Sequence, residues 1–134
     1  MTKAILDLGP LTPAKLIRRY KRFLADCELA DGSLITAHCP NTGAMTGCMR
    51  PGGDIWLSCS ANPKRKYAHT WELAQMPDTL VGINTLNANR LVKLALTVGA
   101  VPEIITRGVV KPEAKIGASR LDFMVSGANG TAYI

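Results

Sequence analysis

Short stretches in which apolar and polar residues alternate fill most of the first 84 residues, and turn-forming residues separate them. The stretch Leu16–Leu29 is ambiguous, because its apolar positions fit a helical period as well as strand alternation. Asp31-Gly32 directly after it is a strong hairpin signal. We therefore predict one long strand, Leu16–Leu29, that pairs with a second strand, Leu34–Cys39.

Further short strands follow the turn at Pro51–Asp54. The pattern predicts them at residues 55–60, 70–74 and 80–84. Several short strands separated by turns are typical of a small closed barrel. We predict a β barrel of the OB type for residues 1–84.

The connection His38–Gly47 is dense in residues that set backbone geometry. Pro40 fixes its own φ, and Gly43 and Gly47 permit positive φ. We interpret it as a rigid scaffold that helps to present a second stretch, Asn62–Trp71, to a polyanion.

The pattern changes after residue 84. Apolar residues at i, i+3, i+4, i+7 and i+8 predict a helix over Ala88–Leu96. Thr85 or Asn87 is suited to cap its start, and Gly99 to end it.

A second alternating stretch lies near the end of the sequence. Residues 119–125 predict a strand with Leu121, Phe123 and Val125 on one face. A turn over 126–130 then returns the chain into a strand over 131–134. Because the sequence ends inside this apolar strand, we expect a longer protein, of which residues 85–134 begin an α/β domain.

The positive charge is concentrated in the first half of the chain. The whole sequence of 134 residues has a net charge of +6 and a normal apolar fraction of 47%. Residues 1–70 hold ten Lys and Arg against five Asp and Glu, whereas residues 71–134 hold six against five. A basic half suggests a polyanionic partner. The alternative is a solvated basic surface that serves solubility.

The four cysteines, Cys27, Cys39, Cys48 and Cys59, form no CxxC pair, which argues against a zinc knuckle. We interpret them as ordinary thiols of a cytoplasmic protein. No apolar run reaches the roughly 20 residues of a membrane span, so we expect no membrane partner.

Cations and aromatic rings occur together in two stretches of the predicted barrel. Lys and Arg side chains track phosphates and rings stack on bases in OB-type surfaces. The candidate nucleic-acid-binding residues are Arg18, Arg19, Lys21, Arg22, Lys64, Arg65, Lys66, Tyr67, His69 and Trp71. The rings could instead fill the barrel. We favour that for Phe23 and Trp56 and leave it open for Tyr67 and Trp71.

Four segments in the same order resemble the bacterial sugar fermentation stimulation protein A family. They are residues 16–26, residues 38–48, residues 64–67 together with 69–73, and residues 120–124. The resemblance implies an N-terminal OB-fold followed by a domain similar to the PD-(D/E)xK nucleases, in a protein about twice as long. It also implies DNA binding and a link to sugar (maltose) fermentation.

The resemblance assigns a metal-binding and catalytic role to Asp122. The matching nuclease core uses an Asp on one strand and a Glu-x-Lys on the next, around Mg²⁺ or Mn²⁺. Tyr133-Ile134 matches the residues just before that Glu-x-Lys, which this sequence lacks. Asn84 and Asn89-Arg90 match the start of the core helix. The resemblance thus implies a metal site in the full-length protein and an incomplete, inactive site in this chain.

Three hypotheses follow for function. The first is a DNA-binding protein with a metal-dependent nuclease-like second domain, without a choice between single- and double-stranded DNA. The second is a non-catalytic DNA-binding regulator of sugar (maltose) metabolism genes. The third is an adaptor for an acidic protein partner. We also expect self-association, because an incomplete α/β half exposes apolar edges.

Overall fold

The computed structural model of the protein describes residues 3–103, 109–127 and 130–134. The chain divides into two compact units. One unit runs from Leu8 to Thr85. The other runs from Leu86 to Ile134 and includes the N-terminal residues up to Asp7.

The first unit is a barrel of short strands. They are β1 (Leu11–Tyr20), β2 (Leu24–Leu29), β3 (Leu34–His38), β4 (Asp54–Cys59), β5 (His69–Gln75) and β6 (Leu80–Gly82). Antiparallel pairing runs from β3 through β2, β1 and β4 to β5, and β6 pairs with the C-terminal half of β5. A parallel pairing between His38 of β3 and Thr70 of β5 closes the ring of five strands. The predicted OB-type barrel is confirmed.

The alternating positions of the strands supply the barrel core. Leu16, Leu57 and Trp71 are fully buried, as are small residues that point inward from β2 and β3: Ala25, Cys27 and Ala37. Small inward residues on adjacent strands suit the narrow interior of a five-stranded barrel. A register shift between Leu16 and Arg18 leaves Ile17 exposed, as a β-bulge does, and accompanies the change of partner along β1.

The long first strand predicted for Leu16–Leu29 is wrong. The structure has two antiparallel strands there, joined by a three-residue turn over residues 21–23. Lys21 and Arg22 both have positive φ, 51° and 63°. This turn contains neither Gly, Asn nor Asp, so its sequence gives no turn signal. The hairpin at Asp31-Gly32 is confirmed, because β2 and β3 pair across it.

The connection after β3 is packed and hydrogen-bonded, as its composition predicts. Cys39 and Met45 are buried in the barrel core. Asn41 accepts a bond from the Gly43 N–H at 2.9 Å, and its amide donates to the Ile83 carbonyl at 3.0 Å. Met45, rather than either glycine of the segment, has positive φ here.

The second unit has one helix and a three-stranded antiparallel sheet in its described part. Helix α1 (Leu86–Val98) confirms the predicted helix, and Gly99 follows it with φ of 71°. The strands are β7 (Val109–Ile116), β8 (Ser119–Gly127) and β9 (Gly130–Tyr133), with β8 in the centre. Part of the predicted turn, residues 128–129, lies outside the described residues.

Strand β7 was not predicted, because Pro112 and three charged residues interrupt its apolar pattern. Proline is tolerated on an edge strand such as this one. On β8, Phe123 and Val125 are buried and pack with Leu96 of the helix, as the alternation predicts. No helix in the described ranges is long and apolar enough to cross a bilayer.

Candidate nucleic-acid interface

Strand register brings two cation-bearing connections to one end of the barrel. Leu24 pairs with His38, and His38 pairs with Thr70. The turn 21–23 directly precedes Leu24, and the loop 60–68 directly precedes β5. Adjacent strands lie about 4.8 Å apart, so these connections leave the barrel about 10 Å apart. We call this region, formed by the turn 21–23 and the loop 60–68, the cationic end.

The loop 60–68 holds three consecutive exposed cations in a hydrogen-bonded turn. Its two ends are joined by the Ser60 N–H, which donates to the Ala68 carbonyl at 2.7 Å. The Lys64 N–H donates to the Asn62 side chain at 3.0 Å. Arg65 donates to the Thr70 hydroxyl at 3.1 Å, which ties this guanidinium to β5. The loop therefore presents Lys64 and Lys66 at fixed backbone positions.

The side chain of Arg19 holds the turn 21–23 through hydrogen bonds to backbone carbonyls. Its Nε donates to the Arg22 carbonyl at 3.1 Å, and its Nη2 donates to the Asn41 carbonyl at 2.7 Å. Two of the three guanidinium nitrogens of Arg19, a predicted phosphate-binding residue, are thus hydrogen-bonded to backbone carbonyl oxygens. Lys21 and Arg22 themselves remain exposed, and among the described residues neither has an ion-pair partner.

Arg18 is neutralised on the outer surface of the barrel. Its Nε donates to Asp26 at 2.9 Å, and its guanidinium lies 4.4 Å above the centre of the Tyr20 ring. The Thr36 hydroxyl donates to the other oxygen of Asp26, also at 2.9 Å. The bond from Arg18 is the main reason why the pKa of Asp26 lies below its usual value. This arginine therefore contributes little net charge to the cationic end.

Two histidines stand where the loop 60–68 meets the barrel. His69 is the first residue of β5 and pairs with Cys59. His38 ends β3, and partial burial lowers its pKa, with a second contribution from the Arg65 charge. His38 is therefore neutral at pH 7 and adds no charge of its own there.

The aromatic rings are placed differently from the prediction. Trp71 is fully buried, with its indole N–H donating to the Leu73 carbonyl at 2.9 Å, so this ring is closed to a ligand. Tyr67 is half-buried, with the Lys66 ammonium 5.5 Å from its ring centre. Phe23, which we assigned to the barrel interior, is 47% exposed instead. Trp56 is half-buried on β4.

A buried polar cluster, which the sequence did not reveal, joins β5 to the end of the barrel segment. Glu72 is 6% exposed, and both of its oxygens accept from the Asn84 amide, at 3.1 and 3.0 Å. The Ser58 hydroxyl donates to Glu72 at 3.0 Å. The one available signal was a glutamate between apolar residues in the middle of a strand. The cluster fixes β4, β5 and the chain after β6 together.

Asp122 lies on β8, in the second unit, and is exposed. No three His, Cys, Asp or Glu side chains come together as a metal site in the ranges that the structure describes. The described residues therefore do not complete a metal site around this carboxylate.

Comparison with known proteins decides the family. Residues 17–83 match the SfsA N-terminal OB domain. A sugar fermentation stimulation protein homolog from Geobacter metallireducens is 49% identical over 127 residues, which cover 93% of this chain and 55% of that protein. A homolog of the same name from Shewanella baltica is 50% identical over 126 residues, 92% of this chain and 54% of that protein. The chain belongs to the sugar fermentation stimulation protein family.

A solved structure of this family has the same fold. The structure of Pyrococcus furiosus SfsA in complex with Ca²⁺ superimposes with a TM-score of 0.81 at 22% identity, covering 98% of this chain and 56% of that one. The chain thus spans about half the length of the sugar fermentation stimulation proteins that it matches.

Proposed function

We propose that this sugar fermentation stimulation protein binds DNA at the cationic end of its OB barrel. The observation that carries the proposal is the meeting of two cation-bearing connections at one barrel end. OB-folds bind oligonucleotides with the face of their second and third strands and with the connections β1–β2 and β4–β5. Those two connections are the turn 21–23 and the loop 60–68 here.

The charge at this end is available to a ligand. Lys21, Arg22, Lys64 and Lys66 are exposed, and within the described residues none of them forms an ion pair. Binding phosphates with such cations releases counterions, so affinity falls as salt rises. The geometry supports backbone contacts more directly than base-specific contacts, because flexible ammonium groups act as point charges.

The experiment compares two double variants of equal charge change. Lys64→Ala/Lys66→Ala removes two cations from the cationic end. Lys15→Ala/Arg50→Ala removes two from the β4 start, at the other end of the barrel, where Lys15 pairs with Asp54. Affinity for an oligonucleotide is measured by fluorescence anisotropy over a range of salt concentrations.

We expect Lys64→Ala/Lys66→Ala, but not the control variant, to bind more weakly. The slope of the logarithm of its binding constant against the logarithm of salt concentration should become shallower, by about 1.4 for single strands or about 1.8 for duplex. Equal effects of the two variants would refute the assignment to this barrel end. Competition with heparin and with an acidic protein separates the DNA-binding proposal from the adaptor alternative, which requires no preference for nucleic acid.

Divalent-cation binding by the full-length protein is a second candidate function. It rests on the Pyrococcus furiosus relative, whose structure is a complex with Ca²⁺, and on the exposed carboxylate of Asp122. Mg²⁺ and Mn²⁺ also prefer oxygen ligands. Calorimetric titration of the full-length protein and of Asp122→Asn with Mg²⁺, Mn²⁺ and Ca²⁺ tests it. Unchanged affinity in the variant would remove Asp122 from the site.

The proposed DNA-binding function takes two forms, which differ in whether the full-length protein cleaves the DNA that it binds. A full-length protein that cleaves DNA with Mg²⁺ or Mn²⁺ is a nuclease, whereas one that binds without cleavage is a regulator of sugar (maltose) metabolism genes. We further propose a cytoplasmic location, which the four free thiols support. Self-association of this chain stays a prediction that sedimentation would check.

A further inference from the structure

Phe23 is an exposed aromatic ring at the cationic end. The barrel unit contains five rings, all of them in described residues: Tyr20, Phe23, Trp56, Tyr67 and Trp71. Phe23 is 47% exposed, whereas the others are half-buried or buried. Alternation along β2 would place it on the inward side with Ala25 and Cys27. Residue 23 lies in the turn before β2, where this alternation no longer holds, and its ring is exposed instead.

The backbone on both sides of Phe23 is held. Its N–H donates to the Lys21 carbonyl at 2.7 Å, and its carbonyl accepts from the Cys39 N–H at 2.7 Å. Arg19 binds the carbonyl of the preceding residue, Arg22. The exposure of the ring therefore belongs to a fixed backbone and not to a loose loop.

The turn that presents the ring is strained. Lys21 and Arg22 are consecutive non-glycine residues with positive φ, a conformation that is unfavourable for residues with a side chain. The hydrogen bond from the Phe23 N–H to the Lys21 carbonyl closes a three-residue turn whose central residue, Arg22, has positive φ. Turns of this kind are rare and strained. Strain of this kind persists where the surrounding structure enforces it, and it concentrates at functional sites.

The ring is flanked by charge suited to a nucleic-acid backbone. Lys21 and Arg22 precede it in the chain, and the loop with Lys64 and Lys66 leaves the barrel about two strand spacings away. A ring exposed between cations is the combination with which proteins bind unpaired strands, because bases stack on the ring while cations hold the phosphates. In a duplex, both faces of each internal base are already stacked and closed to such a ring.

We propose that Phe23 stacks on an unpaired base, so that the ligand of the cationic end is single-stranded nucleic acid. The inference rests on the proposed function and narrows it to a substrate class. Phe23 discriminates strand type, whereas the cations supply affinity for either type.

The test compares single- and double-stranded oligonucleotides of about 12 nucleotides or base pairs, within the site size of an OB fold. Phe23→Leu keeps an apolar side chain and removes the ring, and Phe23→Trp keeps a ring. Leu80→Ala, an apolar position at the start of β6 that is 49% exposed and lies outside both connections of the cationic end, serves as the matched control. Tryptophan fluorescence checks the folding of the variants that keep the two native tryptophans, since both lie in the barrel, and circular dichroism checks the folding of Phe23→Trp.

We expect Phe23→Leu to weaken single-strand binding roughly fivefold to a hundredfold while duplex binding changes less than about twofold. Phe23→Trp should retain single-strand affinity, and Leu80→Ala should leave both affinities unchanged. Equal losses for both ligands, or no loss, would overturn the inference. If the inference about Phe23 fails but Lys64→Ala/Lys66→Ala still weakens binding, the proposed DNA-binding function stands without a role for Phe23. If the unaltered protein binds neither ligand, the inference and the proposed function both fail.

Discussion

Removal of the Asn84 amide should destabilise the barrel strongly. Asn84 is 8% exposed and donates to both oxygens of Glu72, which is 6% exposed. In Asn84→Ala, Glu72 loses these two bonds but keeps the bond from Ser58. A buried carboxylate that loses a donor retains its desolvation cost without the compensating interaction.

The geometry sets the size of the effect. A hydrogen bond to a charged group contributes about 1.5–3 kcal/mol. Because a single amide nitrogen serves both oxygens, the two bonds do not add fully. We expect Asn84→Ala to lower the free energy of unfolding by about 3 kcal/mol, and Ser58→Ala by about 1.5 kcal/mol.

Urea unfolding followed by tryptophan fluorescence measures the change, and it reports on the barrel because Trp56 and Trp71 both lie there. A double-mutant cycle with Glu72→Gln isolates the interaction with the carboxylate. Asn84→Ala should cost clearly less in the Glu72→Gln background, where the acceptor is neutral. A loss below about 1 kcal/mol, or an equal loss in both backgrounds, would refute this role for the cluster.

Two further predictions concern the cationic end. Since the folded-state pKa of His38 lies below its ordinary value of 6.5, the unfolded chain takes up a proton first as pH falls. Barrel stability should therefore decrease below about pH 6.5, and a His38→Gln variant that keeps the same pH dependence in urea unfolding would contradict this. Arg22→Gly should relieve the strain at φ of 63° and stabilise the barrel by about 1 kcal/mol, whereas Arg22→Ala should not. Both substitutions should weaken DNA binding, and equal stability of the two would argue against backbone strain at this turn.

The elements with a clear period or turn signal were predictable. The helix over Leu86–Val98, the hairpin at Asp31-Gly32 and the strand around Phe123 follow from local spacing alone. The family could also be recognised from motifs in the chain, and the comparisons confirm it. Local patterns suffice here because hydrophobic periodicity and turn chemistry act over a few residues.

The candidate site depended on contacts between distant residues. Lys21 and Arg22 form a turn without a turn sequence, because β2 must pair with both β1 and β3 around the barrel. The partners of Arg18, Arg19 and Glu72 lie on other strands or loops, so spacing did not show which charges are already satisfied.

The sequence by itself determined the barrel class, the family and the stretches that carry the charge. The tertiary structure decided which cations remain available, that Trp71 is buried and that Phe23 is exposed. The physical reason is that strand period assigns a side chain to the inside or the outside of a barrel. Only the closure of the barrel, through His38 and Thr70, places its ends and therefore decides which side chains at those ends reach solvent.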